Sequence, residues 1–83
     1  MIKLKDIIET YINGNITIAK NQFSNWEKDG IQIVQCSELF GLQKTIKTLK
    51  NIGLSDVHII NSFHDYNRQN IDEVKTILLH NFY

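Results

Sequence analysis

Apolar residues recur three and four positions apart along most of this chain, the spacing that collects them on one face of an α-helix. The first series fills residues 2–13 and is followed by Gly14, a residue type that commonly ends helices. The last series begins at Asn70, which with Glu73 forms a capping-box-like start. A third runs over about 38–51, so we predict three amphipathic helices. Their apolar faces consist of Leu4, Ile7, Ile8, Tyr11 and Ile12, of Leu39, Leu42, Ile46 and Leu49, and of Ile71, Val74, Ile77, Leu78 and Phe82.

Residues 15–28 fit two patterns. Ile16 and Ile18 alternate as in a strand, and Asp29-Gly30 is typical of a hairpin turn. A helical series also runs through the whole segment, whereas the alternation covers only its start. We therefore favour a helix that ends at Gly30. The helical series consists of Ile16, Ala19, Phe23 and Trp26.

Three further segments are shorter. Residues 31–35 (IQIVQ) alternate and are rich in β-branched side chains, which predicts a short strand, and Ser37 is expected to cap the helix that follows. Residues 57–62 fit either a second strand or a helix capped near Ser55, because so short an apolar run does not decide between them. Residues 64–69 are predicted to form an exposed loop.

These elements predict a mostly helical α+β fold with about four helices and at most a minimal two-stranded sheet, and an all-α bundle is the alternative. The chain has 83 residues, which suits one small globular domain over 1–83. A domain of this size buries only about 60% of the surface that its unfolded chain exposes. The net charge of zero also gives weak protection against self-association. Both properties are compatible with a homodimer.

The cellular location is indicated by what the sequence lacks. Cys36 is the only cysteine, whereas a small secreted domain usually depends on several disulfides. No stretch has the pattern of a signal peptide, and none approaches the roughly 20 apolar residues of a membrane span. We therefore expect a cytoplasmic protein that does not enter the membrane. Its abundance of Ile, Asn and Lys is typical of AT-rich genomes, such as those of low-GC bacteria and their phages.

Residues that could carry catalysis or bind a metal are scattered. His58, His64 and His80 do not share a recognised ligand spacing with Cys36. Cys36 itself precedes Ser37 at the predicted strand-to-helix junction, yet a free cysteine more often fills a core. The sequence contains neither a glycine-rich phosphate loop nor a distinctive carboxylate pair. We predict no catalytic residue, no cofactor and no metal site.

Residues 37–53 resemble the helix-turn-helix of DNA-binding regulators. That pattern has a small residue, then a glycine four positions on in the turn, then an apolar residue six positions after the glycine. Ser37 and Gly41 supply the first two, whereas Lys47 stands at the third and Ile46 falls one residue early. The competing interpretation is a single amphipathic helix with Gly41 in its first turn. The resemblance implies that the residues facing nucleic acid are Gln43, Lys44, Thr45, Lys47 and Thr48.

The charge balance counts against nucleic acid, because phosphate contacts need a basic excess and this chain has nine basic and nine acidic residues. Without catalytic motifs, the first prediction is a small non-catalytic protein-binding module of regulator or inhibitor type. Its partner is expected to be another protein, since Tyr and Arg often dominate interface energetics. The alternative is a small DNA-binding transcriptional regulator with a degenerate helix-turn-helix at 37–50. The predicted partner-binding residues are Asp65, Tyr66, Arg68, Phe82 and Tyr83.

Overall fold

The computed structural model describes residues 2–80, and within that range the chain is helical, with no strand. One 3₁₀ turn, Arg68–Asn70, leads directly into the last helix. The α-helices are α1 (Leu4–Ile12), α2 (Ile16–Ser24), α3 (Gly30–Phe40), α4 (Leu42–Ile52), α5 (Asp56–Tyr66) and α6 (Ile71–His80).

The minimal two-stranded sheet is absent from residues 2–80 and the count of four helices is wrong, whereas the mostly helical class is confirmed. Residues 2–80 are all-helical, as in the alternative prediction. Residues 31–35 lie inside α3, and residues 57–62 lie inside α5. The alternation of apolar residues in 31–35 wrongly predicted a strand because α3 packs against α1, α4 and α5 at once. A helix with neighbours on several sides buries residues that do not follow a single stripe. Ile33, Val34 and Cys36 are accordingly all buried.

Asp29 and Gly30 start a helix and do not form a hairpin turn. The Asp29 carboxylate oxygen Oδ1 accepts a hydrogen bond from the Ile31 backbone N–H at 3.2 Å, which is the usual role of an N-cap. The prediction that Gly30 ends an element is therefore wrong. A Cβ at Gly30 would lie 2.9 Å from Ser62 Oγ, so the missing side chain lets the start of α3 approach α5 closely.

The predicted continuous helix over 38–51 is also wrong, because Gly41 separates α3 from α4. Gly41 has φ 92° and ψ 149°, a conformation that is nearly restricted to glycine. Ser37 does not cap a helix. It lies buried in α3, where its hydroxyl donates to the Val34 carbonyl at 2.6 Å. Thr45 Oγ1 donates to the Cys36 carbonyl at 3.0 Å and ties α4 to α3 across the break.

The other helix predictions are confirmed with shorter bounds. The helical interpretation of 15–28 holds over α2, which ends at Ser24, so Trp26 is a buried residue of the α2–α3 connection. Ser55 caps α5 by accepting from the His58 backbone N–H at 3.3 Å. The loop predicted at 64–69 is wrong at its start, because α5 continues to Tyr66.

The core is a single cluster to which all six α-helices contribute. Its fully buried members include Phe63 of α5, Ile46 and Leu49 of α4, and Ile59 of α5. None of the helices within residues 2–80 is long and apolar enough to cross a membrane.

Candidate functional site

A groove lies between the end of α1 and the outer face of α4, and we call it the α1–α4 groove. Its volume is about 540 Å³. Ile12 is 41% exposed there, and Tyr11 is half-buried against the core. The floor of the groove is therefore partly an apolar surface that the fold leaves open to solvent. The lining residues are Tyr11, Ile12, Gln43, Lys44, Lys47, Thr48 and Asn51.

The amphipathic pattern of α4 places its lysines along this groove. Ile46 and Leu49 are fully buried, and Lys44 and Lys47 lie three positions apart on the exposed side of the same helix. Because α1 packs against α4, the residues that end α1 lie beside these lysines. The result is an apolar floor with two ammonium groups on one side.

The electrostatic character of the groove is positive although the chain as a whole is neutral. Residues 39–55 contain three lysines and no acidic residue. Lys50 forms an ion pair with Asp56, and it does not line the groove. Lys44 and Lys47 therefore stand in a local basic excess that the total charge conceals, and the groove lining holds no carboxylate.

The residues predicted for nucleic-acid binding are only partly brought together. Gln43, Lys44 and Lys47 are exposed and line the groove. Thr45 is fully buried and does not line the groove, whereas Thr48 contributes to the lining but is only 5% exposed. Tyr11 and Ile12 were not predicted as site residues, because their spacing assigned both to the core face of the first helix. Their position at the end of that apolar series is the only signal in the sequence that could have indicated exposure.

The predicted partner-binding residues Asp65, Tyr66 and Arg68 lie together where α5 ends, and all three are exposed. Arg68 Nε donates to the His64 carbonyl at 3.0 Å, which holds the guanidinium near the helix end. Tyr66 is 53% exposed, and one edge of its ring lies against Gly30. The other two predicted residues, Phe82 and Tyr83, lie outside the described residues.

A second groove of about 360 Å³ lies between the start of α1 and α3. Ile31 and Leu39 are exposed there, Leu39 by 58%. Lys5 and Asp29 both line it, so its charges are mixed, and Lys5 also pairs with Glu9 on its own helix at 3.7 Å. This groove therefore has less electrostatic preference for a partner than the α1–α4 groove has.

Cys36 lies at the floor of this second groove and is 3% exposed. Burial raises the pKa of its thiol from 9.0 to about 11, and the charge of Lys5 acts in the opposite direction. Since the thiolate is the nucleophilic form, the thiol is unreactive near neutral pH. Among residues 2–80, no three His, Cys, Asp or Glu side chains are grouped closely enough to hold a metal ion.

Comparison with known proteins finds no match to a protein-family model, to a curated protein or to a solved structure.

Proposed function

We propose that this chain is a small non-catalytic module that binds another protein, and that it does so through the α1–α4 groove. The observation that carries the proposal is the meeting of a partly exposed apolar floor, Tyr11 and Ile12, with the exposed lysines Lys44 and Lys47. Apolar contact area surrounded by polar and charged groups is the usual composition of a protein interface. A regulator or inhibitor that acts by occupying a partner's surface needs no other chemistry.

Binding to DNA is the second candidate, and one observation favours it. Gly41 divides residues 30–52 into two packed helices, and the second of them exposes Gln43, Lys44 and Lys47. A helix-turn-helix has the same order of elements. However, binding to DNA without sequence preference usually needs several contacts between basic side chains and phosphates. Each such contact adds only about 0.9 to the slope of log affinity against log salt concentration. Two lysines over an apolar floor suit a protein surface better.

We also propose that the protein acts in the cytoplasm of an AT-rich bacterium or one of its phages. The residue usage supports this origin, because Ile, Asn and Lys are encoded by AT-rich codons. A homodimer is compatible with this function, provided that the two copies meet through another surface and leave the α1–α4 groove of each copy open to its partner.

The test is affinity capture from a lysate of the source cells, with and without nuclease, using the wild type and two charge reversals. Lys44→Glu and Lys47→Glu act in the groove, and Lys75→Glu is the matched control on the exposed side of α6. We expect one protein to be retained after nuclease treatment by the wild type and by Lys75→Glu, and to be lost from both groove variants.

Two other results would contradict the proposal. Recovery of nucleic acid, with all accompanying proteins removed by nuclease, would make DNA or RNA binding the better function. Equal retention of the same protein by all variants would show that the α1–α4 groove is not the binding surface, and Arg68→Glu would then test the cluster at the end of α5.

A further inference from the structure

We infer that the partner segment bound in the α1–α4 groove is a short, acidic, amphipathic α-helix. This inference rests on the proposed function and specifies the chemistry of the partner. Three properties of the groove support it: its charge, its lack of an edge for backbone pairing, and its length.

Charge determines the polar face of the bound segment. Lys44 and Lys47 line the groove without a carboxylate among the lining residues, whereas nearby Lys50 is already paired with Asp56. A partner that places Asp or Glu beside the two lysines gains attraction and is guided during encounter, and a basic partner is repelled. The same segment must carry apolar side chains to cover Ile12 and the ring of Tyr11.

Backbone chemistry determines its secondary structure. An extended peptide binds well where it adds a strand to a sheet edge, because the edge satisfies its backbone N–H and C=O groups. Residues 2–80 contain no strand, and the groove is formed by helices whose interior backbone groups already bond to one another. A bound segment must therefore satisfy its own backbone, and an α-helix does so while it presents one apolar face.

The length of the groove limits the segment to a short helix. Gln43 and Asn51 mark its ends along α4, and eight residues of helix advance about 12 Å. About two turns of a partner helix cover that distance, with apolar anchors at i, i+3, i+4 and i+7.

Helices α1 and α6 of a second copy of this chain do not supply such a helix without unfolding. The first turn of α6 is acidic, with Asp72 and Glu73, but its apolar residues Val74, Ile77 and Leu78 are buried in the core of the same molecule. Asp6 and Glu9 of α1 likewise belong to a helix whose apolar face is buried. We infer that the acidic helix belongs to a different protein.

The experiment measures binding of a synthetic peptide to the whole chain by ¹⁵N chemical-shift titration at physiological salt. The peptide is acetylated and amidated, has about 12 residues, and carries leucine at i, i+3, i+4 and i+7 with glutamate at the flanking positions. Three further probes are a peptide of the same composition in scrambled order, a peptide with lysine in place of each glutamate, and a DNA duplex.

We expect the acidic peptide to shift the amide signals of Tyr11, Lys44 and Lys47, and the scrambled peptide to bind at least about tenfold more weakly. The double variant Lys44→Glu/Lys47→Glu should lose at least about tenfold in affinity for the acidic peptide and should gain binding of the lysine peptide. The dispersion of the amide signals in the same spectra shows that the variant is folded. Lys75→Glu should bind the acidic peptide as the wild type does.

Equal binding of the scrambled peptide, unchanged affinity of the double variant, or no binding at millimolar peptide overturns the inference. Displacement of the acidic peptide by the DNA duplex overturns it as well. The outcome is separable from that of the capture experiment. Suppose that a protein is captured and is lost on charge reversal in the groove, while the acidic peptide fails to bind. The proposed function then stands, and only the inference that the partner segment is an acidic helix is rejected.

Discussion

At the scale of single residues, Gln32 is a polar side chain that connects separate parts of the fold. Its Oε1 accepts hydrogen bonds from the Leu4 backbone N–H at 2.9 Å and from Trp26 Nε1 at 3.1 Å. One amide therefore holds the start of α1 and the α2–α3 connection against α3. Removing it leaves two donors without an acceptor in partly buried positions.

We expect Gln32→Leu to lower the free energy of unfolding by about 2 kcal/mol, because each unsatisfied buried donor is costly. The measurement is urea unfolding followed by Trp26 fluorescence. Gln35→Leu is the control, since Gln35 lies on the exposed side of the same helix and has no such role. Identical urea midpoints for the two variants would show that water replaces Gln32 without loss.

The buried thiol of Cys36 leads to a prediction about pH. Its pKa is about 11 in the fold, compared with 9.0 for an unperturbed cysteine, so near neutral pH we expect alkylation about 100-fold slower than that of a free cysteine. Between pH 9 and 11 the unfolded chain loses this proton while the folded chain keeps it, so stability falls as the pH rises. Cys36→Ala should lack this part of the pH dependence. Alkylation as fast as that of a model thiol at neutral pH would contradict the buried position.

At the scale of elements, the break at Gly41 leads to a prediction about stability. An alanine at this position lowers stability if the helix is broken there and raises it if the helix is continuous. No atom lies within 4 Å of a Cβ built at Gly41, so only backbone strain opposes a side chain there. We expect Gly41→Ala to destabilise the fold by about 1–3 kcal/mol. In a continuous helix, the same change would stabilise by about 1 kcal/mol, because alanine favours helix and glycine does not.

The measurement is the urea midpoint of Gly41→Ala, compared with Gln35→Ala at an exposed interior position of α3. A higher midpoint for Gly41→Ala would mean that α3 and α4 can join into one helix. That result would also contradict the geometry of the α1–α4 groove. The break at Gly41 sets the direction of α4, and this direction places Lys44 and Lys47 beside Ile12.

At the scale of the whole molecule, stability is small enough for one core residue to control folding. Domains have roughly 0.05–0.15 kcal/mol of stability per residue, which for 83 residues is about 4–12 kcal/mol. Phe63 is the largest of the fully buried side chains, and truncating a buried phenylalanine costs about 3–5 kcal/mol. We expect Phe63→Ala to be largely unfolded at 37 °C by circular dichroism. Tyr66→Ala changes an exposed residue three positions further along α5, so this variant should melt near the wild-type temperature. Cooperative melting of both variants at the wild-type temperature would contradict the conclusion that the helices share a single core.

The sequence by itself determined those features that depend on neighbours within about one helical turn. The helical period predicted α1, α2 and α6 and the buried face of α4, and the capping role of Ser55 followed from its own local chemistry. These predictions succeeded because a helix satisfies its backbone locally and one apolar stripe is sufficient to bury it. The sequence also shows the basic excess of residues 39–55, although the neutral total conceals it.

Only the tertiary structure decided the rest. Residues 31–35 and 57–62 are helical because α3 and α5 are surrounded by other helices, and a short apolar run has the same appearance in a strand and in a buried helix. The candidate site is a product of the same packing, since Tyr11 and Ile12 meet Lys44 and Lys47 only where α1 lies against α4. Thirty residues of chain, 13–42, separate the two halves of the groove, and no local pattern encodes a contact over that distance.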